Sequence, residues 1–273
     1  MAKDTDMAKD ILEEIVAYKR IEVEQQKQMQ PPSVLYKQVE DIMSNPVSEQ
    51  RSMKQSLSSS KSGIIAEFKR KSPSKGWIKE TGRPDIIPPS YCANGASAIS
   101  ILTDERYFGG QMSYITTARP LVTCPILRKD FIIDEYQLFQ AKAIGADAIL
   151  LIAADLTKAE CASLAKTAHE LKLETLLEVH SEPELDYADA NIDMVGVNNR
   201  NLGTFHTDTA TSFRLASLLP RDFLLVSESG LSSADTVKQL RQAGFRGFLI
   251  GETFMKTDDP GATLQQFIQD IIS

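Results

Sequence analysis

The stretch Ile64-Ile65-Ala66-Glu67-Phe68-Lys69-Arg70-Lys71-Ser72-Pro73-Ser74-Lys75-Gly76 opens as a strand and ends as a loop. Ile64, Ile65, Ala66 and Phe68 supply the apolar run of a buried strand, while Glu67 and Lys69, two residues apart, share one face of it. Charged side chains are rarely buried unless paired or used, so the two are either a buried ion pair or part of a reactive site. Arg70 to Gly76 is basic and turn-forming, the composition of a mobile loop that can close over an anion.

Outward from this stretch, short apolar runs recur: Ala98 to Leu102, Pro125 to Leu127, Ala148 to Ile152, Thr175 to Val179, Met194 to Val197, Phe223 to Val226 and Gly247 to Ile250. Helical patterns separate them, as in Ala159 to Leu173, where Cys161, Leu164, Ala165, Ala168 and Leu171 step by three and four. Another spans Ser233 to Ala243. Ser181 with Glu184, and Ser232 or Ser233, suit helix starts, while Gly145 and Gly244 suit helix ends. Strands that alternate with helices run parallel, because each return must cross over the sheet. Eight such units predict an α/β fold, a closed (β/α)8 TIM barrel. An open doubly wound sheet is the alternative, weakened by the lack of Gly-x-Gly-x-x-Gly after the first strand.

Ahead of the barrel, Asp10 to about Gln28 reads as an amphipathic helix, with Ile11 and Ile15, then Leu12 and Val16, four apart and Glu, Lys and Gln on the other face. Pro31 and Pro32 end it. A mostly polar segment follows from Val39 to Ser60, with Ser58, Ser59 and Ser60 as a flexible link. The expected organisation is a single domain over 1–273, comprising an N-terminal helical extension, 1–62, and the barrel, 63–273.

A net charge of −7 argues against a nucleic-acid surface and against a polybasic membrane anchor. Cys92, Cys124 and Cys161 are odd in number and far apart, which suits reduced structural thiols rather than a disulfide framework or a zinc knuckle. Met1 to Lys9 shows no secretory pattern, and no apolar run reaches the length of a membrane span. The expectation is a cytoplasmic protein, a monomer or weak homo-oligomer, with neither nucleic acid nor membrane as partner.

In a barrel of this kind chemistry lies at the C-terminal ends of the strands. The two-residue period places Glu67 and Lys69 there on the first strand, Lys129 on the third, Glu178 on the fifth, and Asn198 and Arg200 on the sixth. Lys69, Lys129 and Arg200 favour an anionic substrate, while Glu67 and Glu178 can hold the lysines or move protons. Lys129, crowded by cations and shielded from water, is expected to have a lowered pKa and to act as a general acid. Ser227-Glu228-Ser229-Gly230 and Ile250-Gly251-Glu252-Thr253 end the last two strands, where barrels frequently bind phosphate. His169, His180 and His206 lack metal-ligand spacing, and only His180 falls near the rim. Trp77 is expected to pack the first loop.

Five ordered motifs carry a family resemblance: Glu67 to Gly76, Leu127-Arg128-Lys129-Asp130-Phe131, Leu177-Glu178-Val179-His180, Gly196-Val197-Asn198-Asn199-Arg200-Asn201-Leu202 and Ser227 to Gly230. The chain resembles indole-3-glycerol phosphate synthase over nearly its whole length. The resemblance implies a (β/α)8 barrel that converts 1-(2-carboxyphenylamino)-1-deoxyribulose 5-phosphate to indole-3-glycerol phosphate, with loss of carbon dioxide and water and no metal or organic cofactor. It implies Lys129 as the acid at the ketone oxygen, Glu178 in the later proton transfers, and Lys69 as the second lysine. Glu67 and Asn198 would orient these groups. Arg200 would lie near the substrate carboxylate, Ser72 in the first loop, and Ser229, Gly230, Gly251 and Glu252 in the phosphate cradle. Asn201 and Glu252 depart from residues common in the family. Two rivals stand beside this reading. One is phosphoribosylanthranilate isomerisation, which uses a cysteine and an aspartate where this chain has Glu67 and Asn198. The other is a barrel that binds a phosphorylated ligand without turning it over, for which both Lys129 and Glu178 would be superfluous.

Overall fold

The structure, a computed structural model, describes residues 2–45, 51–201, 206–219 and 222–273, with side chains in the first helix from residue 11 onward. Met1, Leu202 and part of the segment between Val39 and Ser60 lie outside the described residues.

Eight parallel strands close into a barrel: β1 (Ile64–Phe68), β2 (Ala98–Leu102), β3 (Ile126–Lys129), β4 (Ala148–Ile152), β5 (Glu174–Val179), β6 (Met194–Asn198), β7 (Leu224–Glu228) and β8 (Gly247–Ile250). Each pairs with its neighbours in sequence, and β1 pairs with both β2 and β8. The alternation of side chains along each strand divides the apolar residues into two cores. Ile65, Ala98, Leu127, Leu150, Leu176, Met194, Val226 and Leu249 point into the barrel, while Ile64, Ile101, Ile149, Leu177, Val195 and Phe248 pack outward against the helices. This parity makes Glu67, Lys69, Lys129, Glu178 and Asn198 inward residues of the upper layer.

Among the described residues three helices precede the barrel: α1 (Ala2–Met29), α2 (Pro32–Ser44) and α3 (Met53–Ser59). The expected flexible serine link is instead the last turn of α3. Ser58 and Ser59 donate back to the Gln55 carbonyl, each at 2.9 Å, and Leu57 anchors the helix in the barrel interior. With Met53, Leu57 plugs the N-terminal end of the barrel, both fully buried among the inward residues of the lower layer.

The buried face of α1 includes Ile15, Lys19 and Val23, four apart. Lys19 thus belongs to the packed face rather than to the polar one. Its ammonium meets Asp104, Asp130 and Glu22, each at 2.9 Å, and Asp130 is also paired with the buried Arg128 at 3.0 Å. A fully buried ammonium is tolerated because several carboxylates surround it.

The outer helices are α4 (Ile87–Ala93), α5 (Met112–Ala118), α6 (Glu135–Ile144), α7 (Lys158–Glu170), α8 (Ala210–Ala216), α9 (Ala234–Gln242) and α10 (Pro260–Ile272). After β5 a 3-10 helix, Glu182–Tyr187, takes the place of an α-helix. Gly145 ends α6 in the left-handed region at φ 88°, as its position after the periodic residues predicts. The three cysteines are free, but Cys92 and Cys124 are not far apart in space: the Cys124 amide lies 3.4 Å from the Cys92 sulfur. Among the described residues no helix is long and apolar enough to cross a membrane.

Candidate active site

The C-terminal ends of the strands surround a cavity of about 570 Å³. Of the residues expected at a site, Glu67, Lys69, Lys129, Glu178, Asn198, Arg200, Ser229, Gly230, Gly251 and Glu252 all line it. Ser72 does not. It lies in a short hairpin, Lys71–Ser72 against Gly76–Trp77, with its hydroxyl buried, and Pro73, Ser74 and Lys75 at the hairpin tip reach the cavity instead. Trp77 packs within this loop, close to Arg70 and Lys71, whose cations lie 5.3 and 5.7 Å from its ring.

Two ion pairs form the floor. Lys69 Nζ lies 2.5 Å from Glu67 Oε1, and Lys129 Nζ lies 3.3 Å from Glu178 Oε2. Asn198 Nδ2 donates to Glu178 Oε1 at 3.0 Å, while the Arg200 amide donates to Asn198 Oδ1 at 3.0 Å, so the sixth strand end braces the fifth.

The expected lowering of the Lys129 pKa is not found. Burial opposes its charge, but the carboxylates of Glu178, Glu228 and Glu67 outweigh burial and hold the ammonium above its ordinary value. The cations expected to crowd it are outnumbered by acids. Lys129 is therefore held in its protonated form, the form a general acid requires.

Glu228 was not singled out from the sequence, although Leu224, Val226 and Glu228 share the inward parity that exposed Glu178. It lines the cavity and is almost wholly buried, with Oε1 free of hydrogen bonds. Burial, then the neighbouring charge of Glu178, pushes its pKa up to about 8. Glu178 moves the other way: burial is outweighed by Lys129, His180 and Asn198, which hold it well below the carboxylate range. The two neighbouring acids are thus driven in opposite directions, Glu178 toward the ionised form and Glu228 toward the protonated one, a separation suited to paired acid and base roles.

Space for Glu228 depends on Gly196, where an added Cβ would lie 2.2 Å from Glu228 Oε1. Gly196→Ala is expected to displace that carboxylate and lower turnover by about 10-fold or more with the fold retained. Circular dichroism together with steady-state rates checks this, and an unchanged rate would remove Glu228 from the site.

An apolar wall was also missed. Ile11, Leu12 and Ile15 of α1 line the cavity with Leu102, Phe108 and Phe131, and the rings of Phe108 and Phe131 are centred 6.0 Å apart. The N-terminal helix thus closes one side of the mouth. Stripe periodicity marked Ile11, Leu12 and Ile15 as apolar but carried no signal of what they would face. In an eight-stranded barrel β2 and β3 stand across from β6 and β7, so this wall faces Ser229 and Gly230. There Ser229 and Gly230 adopt positive φ of 66° and 74°.

A family profile described as indole-3-glycerol phosphate synthase matches residues 12–267. The chain belongs to the indole-3-glycerol phosphate synthase family. The indole-3-glycerol phosphate synthase of Bacteroides thetaiotaomicron is 63% identical over 263 residues, covering 96% of this chain and 99% of that one. That of Acidithiobacillus ferrooxidans is 42% identical over 262 residues, with the same two coverages. Two solved structures outside that similarity share the barrel alone. KGPDC from Streptococcus mutans has a TM-score of 0.59 at 15% identity, covering 77% of this chain and 96% of its own. Thiamine phosphate pyrophosphorylase from Pyrococcus furiosus has a TM-score of 0.58 at 14% identity, covering 78% and 98%. As a member of the indole-3-glycerol phosphate synthase family, the chain brings the expected site residues, apart from Ser72, onto a single cavity.

Proposed function

We propose that this chain closes the indole ring, converting 1-(2-carboxyphenylamino)-1-deoxyribulose 5-phosphate to indole-3-glycerol phosphate with release of carbon dioxide and water. The observation that carries this is the Lys129–Glu178 pair on the floor of a cavity with an apolar wall on one side and turn backbone on the other. That arrangement suits a substrate with an aryl group at one end and a phosphate at the other.

In this reading the aryl ring rests on Ile11, Leu12, Ile15, Phe108 and Phe131. The phosphate meets the backbone at Ser229, Gly230, Gly251 and Glu252, and Arg200 takes the aryl carboxylate. Anchoring both ends bends the chain between them and brings the carboxyl-bearing ring carbon to the ketone carbon. Lys129 gives its proton to the ketone oxygen as the new carbon-carbon bond forms. Loss of carbon dioxide returns the bonding electrons to the ring. Dehydration then needs an acid at the departing hydroxyl, the part of Lys69, and a base for the proton released as the indole forms, the part of Glu178. Glu67 orients Lys69, and Asn198 orients Glu178.

The reading includes one domain working in the cytoplasm. The three free thiols support that compartment. The purified chain is expected to generate indole fluorescence from this substrate without added metal, and no turnover would overturn the assignment. Arg200→Ala is expected to raise KM by about 10-fold or more, the loss of one charged contact of some 1.5–3 kcal/mol. If KM and kcat both stay unchanged, Arg200 has no part in the site.

A further inference from the structure

His180 continues the inward parity of Leu176 and Glu178 but does not line the cavity. It is mostly buried beside Glu178. Its Nε2 lies 3.2 Å from Glu178 Oε1, and its Nδ1 lies 3.5 Å from Glu184 Oε2 in the turn after β5. Glu184 is itself fixed, because the His180 amide donates to Oε2 at 2.7 Å and the Ser181 hydroxyl donates to Oε1 at 2.8 Å.

A neutral imidazole carries one N–H and one lone pair. With a carboxylate at each ring nitrogen, a neutral ring would turn its lone pair toward one anion. Neither ring nitrogen meets hydrogen-bond geometry, so these are contacts of charge, and only the imidazolium sets positive charge against both carboxylates. The two oxygens of Glu178 are thereby made unequal. Oε1 faces Asn198 and His180, and Oε2 faces Lys129.

We propose that His180 is a positioning residue for the ring closure: bridged between Glu184 and Glu178 as an imidazolium, it occupies Oε1, keeps Glu178 ionised and leaves Oε2 as the oxygen that receives protons. This rests on the reading of Glu178 as the base. Every charged neighbour bears on the balance. Glu178 and Glu184 act directly on the ring, as does Asp155 in the turn after β4, whose two oxygens are buried without hydrogen bonds. Lys129 and Glu228 act through Glu178. Burial opposes the charge on His180, but Glu178 and Glu184 prevail and raise its pKa from 6.5 to about 10. The stabilisation from this bridge is therefore complete below 6.5 and is lost as pH rises through about 10.

The chain has three histidines, so nitrogen-15 NMR can follow each imidazole separately. In the wild type His180 is expected to stay doubly protonated well above 6.5, and in Glu184→Gln to titrate nearer that value. Titration near 6.5 in the wild type would overturn the bridge, whether or not the chain turns over its assigned substrate. In the turnover assay, His180→Gln is expected to lower kcat between about 10- and 100-fold with little change in KM. The acid limb of its kcat profile should move up toward the ordinary carboxylate range. An acid limb that does not move would overturn the role. If His180→Gln fails to fold, Glu184→Gln provides the same comparison, while an inactive wild type would sink the ring-closure reading and leave the NMR result to decide the bridge.

Discussion

Lys129→Ala is expected to lower kcat by roughly 10²- to 10⁴-fold, the range over which a positioned general acid contributes. Its ammonium sits at the centre of the site, 3.3 Å from Glu178, with the charges of Glu67 and Glu228 also acting on it. In the proposed reaction, removing the ammonium takes away the proton for the ketone oxygen and at the same time frees several acids from their shared cation. Glu178 is then expected to bind a proton more readily, so the acid limb of the residual activity should shift to higher pH. Stopped substrate conversion, followed by fluorescence across pH, measures both effects. Turnover equal to that of the wild type would remove Lys129 from the chemistry.

The largest effect on stability is expected at a residue that does not line the cavity. Lys19→Met leaves Asp104 and Asp130 buried with part of their compensating charge gone, and breaking a buried pair in this way costs about 3–5 kcal/mol. Urea unfolding of the variant against the wild type checks this, and a midpoint shift too small to resolve would show that the carboxylates relax into other partners. The same cluster sets an acid limit. Burial would raise the Asp130 pKa, but Lys19 and Arg128 lower it from 3.8 to about 2. Its contribution is therefore present above 3.8 and is lost as pH falls through about 2. Because α1 also carries Ile11, Leu12 and Ile15 to the mouth, Lys19→Met should loosen one wall of the cavity before the barrel itself unfolds.

Much of this architecture is legible in the sequence because a barrel strand has a strict two-residue period. Parity alone puts Glu67, Lys69, Lys129, Glu178 and Asn198 inside and at one end. The same rule extended to Leu224 and Val226 would have found Glu228, which stands two residues past the apolar run that marked the strand. What parity cannot give is the environment a side chain meets across the barrel. Lys129 was expected among cations because Lys69 and Arg200 are its charged companions in the motifs, yet the folded site surrounds it with carboxylates. Lys19 was hidden for a similar reason: on a helix rich in Glu, Lys and Gln, one lysine on the packed face is indistinguishable from its solvated neighbours until Asp104 and Asp130 arrive from distant loops. Ser72 sits inside a recognisable motif, but the hairpin turns its hydroxyl away from the cavity.

Met53 and Leu57 make the barrel a vessel with one opening. A reaction that yields an indole glycerol phosphate, a gas and water inside it has no rear exit, so all three products leave past the same rim by which the substrate came in. Carbon dioxide and water are small enough to slip around a bound indole, whereas the indole cannot pass a newly arriving substrate. Traffic through the doorway is thus single file for the large molecules, and each turnover must empty the vessel before the next can begin.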